Sequence, residues 1–106
     1  LDRKLDLNEH LIQHPASTFF VKVKGDSMIN AGIKSGDMLI VDRSIQPKNK
    51  AIVVAIINGE FTVKRLIKIK DLCQLSPENP KYEPITITDA MDFEIWGVVL
   101  HTIHSF

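Results

Sequence analysis

Residues 51–66 have the sequence AIVVAIINGEFTVKRL, and this stretch decides the fold class of the chain. Two strand-like runs flank Asn58-Gly59, the first of them rich in β-branched residues, and that dipeptide between two such runs is the strongest short-range signal for a β-hairpin. The first run, residues 51–57, is continuously apolar, which is typical of a strand that is covered on both faces. The stretch therefore predicts a hairpin whose first strand is fully buried.

Further short strands are expected on both sides of this hairpin. They cover residues 18–24, 38–42, 85–87 and 93–103. A short helix is expected over residues 6–14, where Leu7 and Leu11 share one face and Pro15 follows. Residues 76–84 are rich in proline and asparagine and predict a loop. Many short strands between turns favour a mainly β fold, a small barrel or sandwich with at most a short helix or two.

The size, charge and cysteine content limit the possible functions. A chain of 106 residues suffices for one compact domain, so residues 1–106 are expected to form a single unit. Thirteen acidic and thirteen basic residues balance, so no net field favours binding to nucleic acid or to an anionic membrane. A single cysteine excludes an internal disulfide, and the longest apolar stretch is far shorter than a membrane span. These features predict a cytoplasmic domain that does not bind DNA directly.

The sequence offers no motif for a metal or a cofactor. It contains no glycine-rich phosphate loop, zinc-type cysteine cluster or nucleophile-elbow motif. His10 and His14 could share a helical face, but a zinc site needs at least three protein ligands and no third is evident. His101 and His104 are three apart in a predicted strand and should point to opposite faces. No metal or cofactor is therefore expected, and Cys73 is expected to be a small buried residue.

Gly25-Asp26-Ser27-Met28 lies where an alternating strand enters a turn. A sharp bend of this kind can present the Ser27 hydroxyl next to free backbone N–H groups, which is the geometry that an acyl-transfer site requires. An ordinary turn serine would explain the same four residues, because turns favour serine for its local hydrogen bonds. The tetrapeptide alone therefore does not identify a nucleophile.

Lys64 lies in the second strand of the hairpin, close to the apolar residues Phe61, Val63 and Leu66. A lysine with an ordinary pKa of about 10.4 is protonated at neutral pH and cannot accept a proton from a serine. Lowering this pKa to about 7–8 costs about 4 kcal/mol, which burial can supply. For Lys64 alone, a surface lysine with its ammonium in water is the simpler interpretation.

Taken together, these segments resemble the LexA and UmuD family of self-cleaving serine peptidases. The matching segments are Gly25-Asp26-Ser27-Met28, Gly32-Ile33, Ser35-Gly36-Asp37, Ile52-Val53-Val54-Ala55, Phe61-Thr62-Val63-Lys64-Arg65-Leu66, the 77–85 segment PENPKYEPI and Gly97-Val98-Val99. They cover nearly the whole chain in order, with Ser27 and Lys64 37 residues apart. The N-terminal segments LDLN at residues 5–8 and LIQHP at residues 11–15 resemble the UmuD branch.

The resemblance implies how the site would work. Ser27 would be the nucleophile and Lys64 its general base, in place of the histidine of other serine peptidases. The amides of Asp26 and Ser27 would stabilise the oxyanion. Family members cut their own chain upstream of the segment that resembles this one, so the cleavage segment is expected to be absent from residues 1–106.

The resemblance also implies partners and a cellular function. Family members form homodimers and cleave themselves when a RecA–DNA filament favours the cleavable conformation. In the UmuD branch, the processed form is the accessory subunit of a UmuC-like error-prone polymerase, which copies damaged DNA in the SOS response. The expected protein is therefore the self-cleaving peptidase domain of a UmuD-like SOS mutagenesis protein.

Three other functions remain open from the sequence. The chain could be the C-terminal self-cleavage and dimerisation domain of a LexA-type repressor, which would carry an upstream DNA-binding domain. A signal-peptidase-like enzyme would also use a serine and a lysine, but the chain has no membrane segment. A β domain without catalytic activity would need neither Ser27 nor Lys64.

Overall fold

The computed structural model describes residues 7–106 and consists mainly of β-strands. The strands are β1 (Thr18–Lys22), β2 (Met38–Asp42), β3 (Ile52–Ile57), β4 (Glu60–Ile69), β5 (Leu72–Ser76), β6 (Ile85–Thr86) and β7 (Phe93–Ile103). One short helix, α1 (Leu7–Leu11), and two 3-10 turns, Pro15–Ser17 and Ile29–Ala31, are the helical elements of this range. The predicted mainly β fold with little helix is confirmed.

All seven strands form one antiparallel sheet in the order β1-β2-β7-β3-β4-β5-β6. β3 and β4 form the predicted hairpin, and both of its turn residues, Asn58 and Gly59, have a positive φ. Two positive φ angles define the type I′ turn that matches the twist of a hairpin. The sequence left a barrel or a sandwich open, and the structure has a single sheet.

Some elements differ in length from their predictions. Asp6 lies outside the described residues, and α1 ends at Leu11, before Pro15. β1 ends at Lys22 because Val23 makes its backbone hydrogen bonds with the turn that precedes β2. β4 extends beyond residue 66 because its second half pairs with β5. Within the described range, no helix is both long and apolar enough to span a bilayer.

The hydrophobic core has two clusters, and β3 contributes to both of them. The first cluster consists of Val23, Met28, Ile33, Leu39, Val41 and Val54, and the second of Val53, Ala55, Leu66, Leu75 and Val98. Alternate residues of a strand point to opposite faces of the sheet, so Val54 belongs to one cluster while Val53 and Ala55 belong to the other. None of these three residues is more than 1% exposed. The prediction that this strand is covered on both faces is confirmed.

β7 connects the two halves of the sheet because it pairs with β2 on one side and with β3 on the other. Gly97 lies so close to β2 that a Cβ atom at this position would be 2.6 Å from Cγ1 of Val41. Glycine allows this close approach of two strands because it has no side chain. The turn before β2 is thereby fixed relative to the β3–β4 hairpin, on which Lys64 lies.

Candidate active site

Ser27 lies in the connection between β1 and β2, two residues after Gly25, whose φ is +86°. A positive φ favours glycine, because a Cβ atom would be strained there. Val23 before the bend and Met28 after it both pack in the first hydrophobic cluster. The connection is therefore anchored on both sides of the bend, and Ser27 stays partly exposed between the anchors.

Lys64 lies in β4, opposite Val53 of β3. Its Nζ atom is 3.0 Å from Oγ of Ser27, 2.7 Å from Oγ1 of Thr62 and 3.0 Å from the carbonyl oxygen of Val63. Among residues 7–106, no carboxylate lies within salt-bridge distance of this amine. The structure therefore brings the two residues selected from the sequence into direct contact, although they are 37 positions apart.

Burial lowers the pKa of the Lys64 amine below its ordinary value of 10.5. Removing an amine from water disfavours its charged form, and a neighbouring carboxylate would counteract this effect. The polar neighbours of Nζ are instead three uncharged oxygen atoms. At a given pH, a larger fraction of the amine is therefore neutral at Lys64 than at a surface lysine with its ammonium in water.

Ser27 and Lys64 line a cleft of about 270 Å³. Its other lining residues are Val21, Lys22, Val23, Lys24, Gly25, Met28, Val54, Phe61, Thr62 and Val63. A mostly apolar cleft in which a few polar groups converge is typical of a binding site. In this cleft the converging groups are the Ser27 hydroxyl, the Lys64 amine and the Thr62 hydroxyl.

A loop of residues 77–84, between β5 and β6, holds the connection that carries Ser27. The backbone N–H of Glu78 donates to the carbonyl oxygen of Ser27 at 2.8 Å. The side-chain amide of Asn79 donates to the carbonyl oxygen of Asp26 at 2.9 Å. The 77–84 loop thus binds the backbone on both sides of the Ser27 side chain.

The same loop also contacts β4 and the Asp26 side chain. Nε of Arg65, the neighbour of Lys64 in sequence, donates to Oε1 of Glu78 at 2.5 Å. The Tyr82 hydroxyl donates to Oδ1 of Asp26 at 2.5 Å, and this hydrogen bond to a carboxylate raises the pKa of the Tyr82 phenol. The loop is therefore connected to both elements that meet at the cleft.

Two of the four histidines contact buried carboxylates rather than the cleft. Nδ1 of His14 lies 2.5 Å from Oδ2 of Asp42, and Nδ1 of His104 lies 2.8 Å from Oδ1 of Asp37. Both aspartates are at most 1% exposed. Within residues 7–106, no group of three or more histidine, cysteine, aspartate or glutamate side chains could hold a metal ion.

The other sequence candidates also lie outside the cleft. His10 is exposed in α1, and His101 lies in β7. His104 follows the last residue of β7, so the expected alternation with His101 does not apply to it. Cys73 is partly buried and packs against the second cluster, so it is less buried than predicted.

Thr62 and Asn79 contact the site, but neither was predicted from the sequence to be a site residue. Thr62 lies two residues before Lys64, and side chains with this spacing lie on the same side of a strand. That alternation was the available signal for Thr62. Asn79 is 53 residues from its partner Asp26, and no local pattern connects the two.

Comparison with known proteins identifies the family. The model of the peptidase S24-like family matches residues 1–100. Protein ImpA from Salmonella typhimurium is 43% identical over 111 residues, which cover 97% of this chain and 70% of ImpA. Protein SamA from the same species is 44% identical over 104 residues, with 98% of this chain and 71% of SamA covered. LexA repressor 1 from Geobacter sulfurreducens is 50% identical over 70 residues, which cover 66% of this chain and 35% of the repressor.

The chain therefore belongs to the peptidase S24-like family, a family of self-cleaving serine peptidases. Within it, the chain is a UmuD-like member of the LexA and UmuD group, because ImpA and SamA match almost all of it whereas the LexA repressor matches a smaller part. The resemblance drawn from the sequence motifs is confirmed.

Proposed function

We propose that residues 1–106 form one self-cleaving peptidase domain, in which Ser27 is the nucleophile and Lys64 the general base. The observation that carries this proposal is the 3.0 Å separation of Nζ and Oγ at an amine whose pKa is lowered by burial. A nucleophile within hydrogen-bond distance of a base is the arrangement on which covalent catalysis depends. A β domain without catalytic activity gives no reason for a half-buried lysine whose amine contacts a serine hydroxyl.

The hydrogen bonds around Nζ suit a neutral amine. A neutral amine has two N–H donors and one lone pair, and three oxygen atoms surround Nζ. Thr62 Oγ1 and the Val63 carbonyl accept the two N–H groups, and the lone pair is left for the hydroxyl proton of Ser27. A protonated amine would donate to all three oxygen atoms and could accept no proton. The lowered pKa increases the neutral fraction at a given pH.

In the proposed reaction, Lys64 accepts the hydroxyl proton as Oγ of Ser27 bonds to the carbonyl carbon of the scissile peptide. Lys64 then gives this proton to the leaving amine as the C–N bond breaks, and water hydrolyses the remaining ester on Ser27. The amides of Asp26 and Ser27 are the proposed oxyanion donors. In the described part of the chain, neither amide donates a backbone hydrogen bond to another residue.

The protein is a UmuD-like SOS mutagenesis protein. Its proposed processed form is a homodimer that serves as the accessory subunit of a UmuC-like translesion polymerase in the cytoplasm. A RecA–DNA filament is the proposed trigger of cleavage. The balance of thirteen acidic and thirteen basic residues supports a domain that acts through protein partners rather than by direct binding to DNA.

A LexA-type repressor is the alternative, because 50% identity to LexA repressor 1 extends over 70 residues. The length and content of the full gene product separate the two proposals. A helical DNA-binding domain upstream of these residues would favour the repressor. A short upstream segment without such a domain would favour the UmuD-like protein.

The test is cleavage of the full-length gene product in the presence of RecA–DNA filaments, followed by sequencing of the new N-terminus. Ser27→Ala should abolish cleavage while the circular dichroism spectrum stays unchanged. Ser76→Ala is the matched control, because within residues 7–106 the Ser76 hydroxyl hydrogen-bonds with the neighbouring Pro77 carbonyl alone and should be dispensable. Cleavage that survives in Ser27→Ala would exclude Ser27 as the nucleophile.

A further inference from the structure

We propose that Asn79 is a positioning residue, which orients the backbone N–H of Ser27 toward the oxyanion formed during cleavage. This inference rests on the proposed function, in which Ser27 is the nucleophile and its own amide is an oxyanion donor. The assignment comes from the hydrogen bond between the Asn79 side chain and the backbone of the nucleophile turn.

The geometry of one peptide group connects Asn79 to the Ser27 amide. The carbonyl oxygen of Asp26 and the N–H of Ser27 belong to the same peptide unit, which is planar and trans, so the two groups point in opposite directions. Asn79 Nδ2 donates to this carbonyl oxygen at 2.9 Å. The cleft is lined by Gly25, Ser27 and Met28 but by no residue of the 77–84 loop. A carbonyl held by the loop therefore directs the N–H away from the loop.

The orientation of the Asn79 amide is itself fixed. Its Oδ1 accepts a hydrogen bond from the backbone N–H of Lys81 at 3.0 Å. A backbone N–H can only donate, so the oxygen must face Lys81 and the nitrogen must face Asp26. Asn79 is only 7% exposed, and both ends of its amide have partners. A buried amide satisfied in this way holds its partner carbonyl in a defined direction.

A second contact fixes the peptide group on the other side of Ser27. The N–H of Glu78 donates to the Ser27 carbonyl oxygen at 2.8 Å. Both peptide groups that flank the Ser27 Cα are thus anchored to the 77–84 loop. Oxyanion stabilisation depends on donors that are oriented before the reaction begins, so this anchoring has a direct use in catalysis.

Within the described residues, the Asp26 carbonyl oxygen accepts a second hydrogen bond besides that from Asn79. This second bond limits how much the labelling rate should fall when Asn79 is replaced. The N–H of Ile29 donates to it at 3.2 Å. Without the Asn79 amide, the peptide group should be less well oriented but still held, and the turn should still form. Because removal of a whole oxyanion donor lowers rates by about 10²–10³-fold, we expect loss of orientation alone to cost about tenfold.

The test measures how fast an alkyl fluorophosphonate labels Ser27 in the purified chain. Oγ bonds to phosphorus, fluoride leaves, Lys64 takes the hydroxyl proton, and negative charge develops on the phosphoryl oxygen where a peptide oxyanion would lie. Asn79→Ala should lower the maximal labelling rate about tenfold. The probe concentration at half-maximal rate and the midpoint of the pH profile should stay unchanged, because neither binding nor Lys64 is altered.

Tyr82→Phe is the matched control. It removes a hydrogen bond from the same loop to the Asp26 side chain without touching the Asp26 carbonyl, so labelling should change less than about twofold. Asn79→Asp keeps the shape and the acceptor for Lys81 but removes the donor, so it should slow labelling as Asn79→Ala does.

Several results would overturn the inference: wild-type labelling rates in either Asn79 variant, equal losses in Tyr82→Phe, or a shifted pH midpoint in Asn79→Ala, which adds no charge. If both Asn79 variants unfold while Tyr82→Phe stays folded, Asn79 only holds the turn together and the inference is also overturned. These outcomes are distinct from a failure of the proposed function. In that event the wild-type chain itself would not be labelled at Ser27.

Discussion

Lys64 is partly buried and Asp42 is fully buried, and both are ionisable. Their surroundings favour opposite charge states: the neutral form of Lys64 and the charged form of Asp42. Burial lowers the pKa of Lys64, whose polar neighbours are uncharged oxygen atoms. Burial alone would raise the pKa of Asp42, but hydrogen bonds from Ser44 and His14 outweigh it and lower the pKa to about 2. One group is shifted toward its neutral form, and the other is held in its charged form.

The difference lies in the partners that each region provides. The N–H and the hydroxyl of Ser44 donate to Oδ1 of Asp42 at 2.8 and 2.7 Å, and the Ser17 hydroxyl adds a longer contact of 3.4 Å. His14 reaches the other carboxylate oxygen. A buried carboxylate with this many donors loses little by leaving water.

Asp37 repeats this pattern just before β2. The backbone N–H of Lys34 is the largest cause of its lowered pKa, against an opposing effect of burial, and His104 and Thr102 also donate to it. The two carboxylates thus fasten to β2 a segment that precedes β1 and a segment at the end of β7. A buried charge with many donors stabilises the fold, whereas a half-buried amine without a counter-charge is shifted toward its neutral form.

Lys64→Arg should have the largest effect on the labelling of Ser27, because it keeps the positive charge but removes the proton acceptor. A guanidinium stays protonated at any accessible pH, so we expect fluorophosphonate labelling of Ser27 to slow by about 10³-fold or more. Lys64→Met, which lacks the charge as well, should be equally inactive. Labelling by Lys64→Arg at near wild-type rates would show that a neutral amine is not required.

The pH dependence of labelling measures the pKa of the Lys64 amine. Below the pKa of Lys64, the neutral fraction of the amine increases about tenfold with each pH unit, and the labelling rate should follow it. Because burial lowers this pKa, the rate should level off below pH 10.5. Rates measured from pH 5 to pH 11 provide the check. A midpoint at the ordinary lysine value would contradict the lowering of this pKa by partial burial.

Asp42→Asn tests whether the buried carboxylate of Asp42 stabilises the fold. The folded-state pKa of Asp42 is about 2 and its ordinary value is 3.8, so its charge contributes stability that is fully present above about pH 4 and is lost as the pH falls to about 2. Asp42→Asn should lower the Tm at pH 7 by about 10 °C, because charge-assisted hydrogen bonds are lost. It should also flatten the acid limb of a plot of Tm against pH.

The control for this substitution is Asp89→Asn, which changes an exposed carboxylate. Its Tm should stay within about 2 °C of the wild-type value. Labelling of Ser27 in Asp42→Asn at a temperature well below its Tm should equal that of the wild type, because Asp42 does not line the cleft. A wild-type Tm in Asp42→Asn would show that the Asp42 carboxylate does not stabilise the fold.

Local signals explain which parts of the fold could be predicted from the sequence. The hairpin was predictable because Asn58 and Gly59 both adopt the positive φ that their residue types favour. The position of β7 between β2 and β3 was not, since strand order depends on pairing between distant segments. The early end of β1 at Lys22 has the same origin, because the hydrogen bonds of Val23 go to a turn thirteen or more residues further along the chain.

The same distinction applies to the site. Ser27 and Lys64 were selected because their surrounding motifs match a family pattern, while neither residue stood out alone. The contact of His14 with Asp42 spans 28 residues, and that of Asn79 with Asp26 spans 53, so no periodicity could indicate either one. Long-range polar contacts of this kind are decided by packing, which a sequence pattern does not contain.

Thr62→Val tests what a single uncharged oxygen atom contributes to the orientation and the pKa of the Lys64 amine. Valine has nearly the shape of threonine but cannot accept the hydrogen bond that Nζ makes at 2.7 Å. The maximal labelling rate should fall about tenfold, because the lone pair of Nζ is less well aimed at Ser27. The pH midpoint should also move down, since a protonated amine loses more than a neutral one when an acceptor is removed.

The downward shift distinguishes Thr62 from Asn79, whose substitution should leave the pH midpoint unchanged. Thr88→Val, at an exposed position, is the control and should alter neither the rate nor the midpoint. An unchanged midpoint in Thr62→Val would mean that the Val63 carbonyl and burial alone determine the charge of Lys64. An upward shift would contradict the account given for this amine, because it would mean that the Thr62 hydroxyl favours the neutral form.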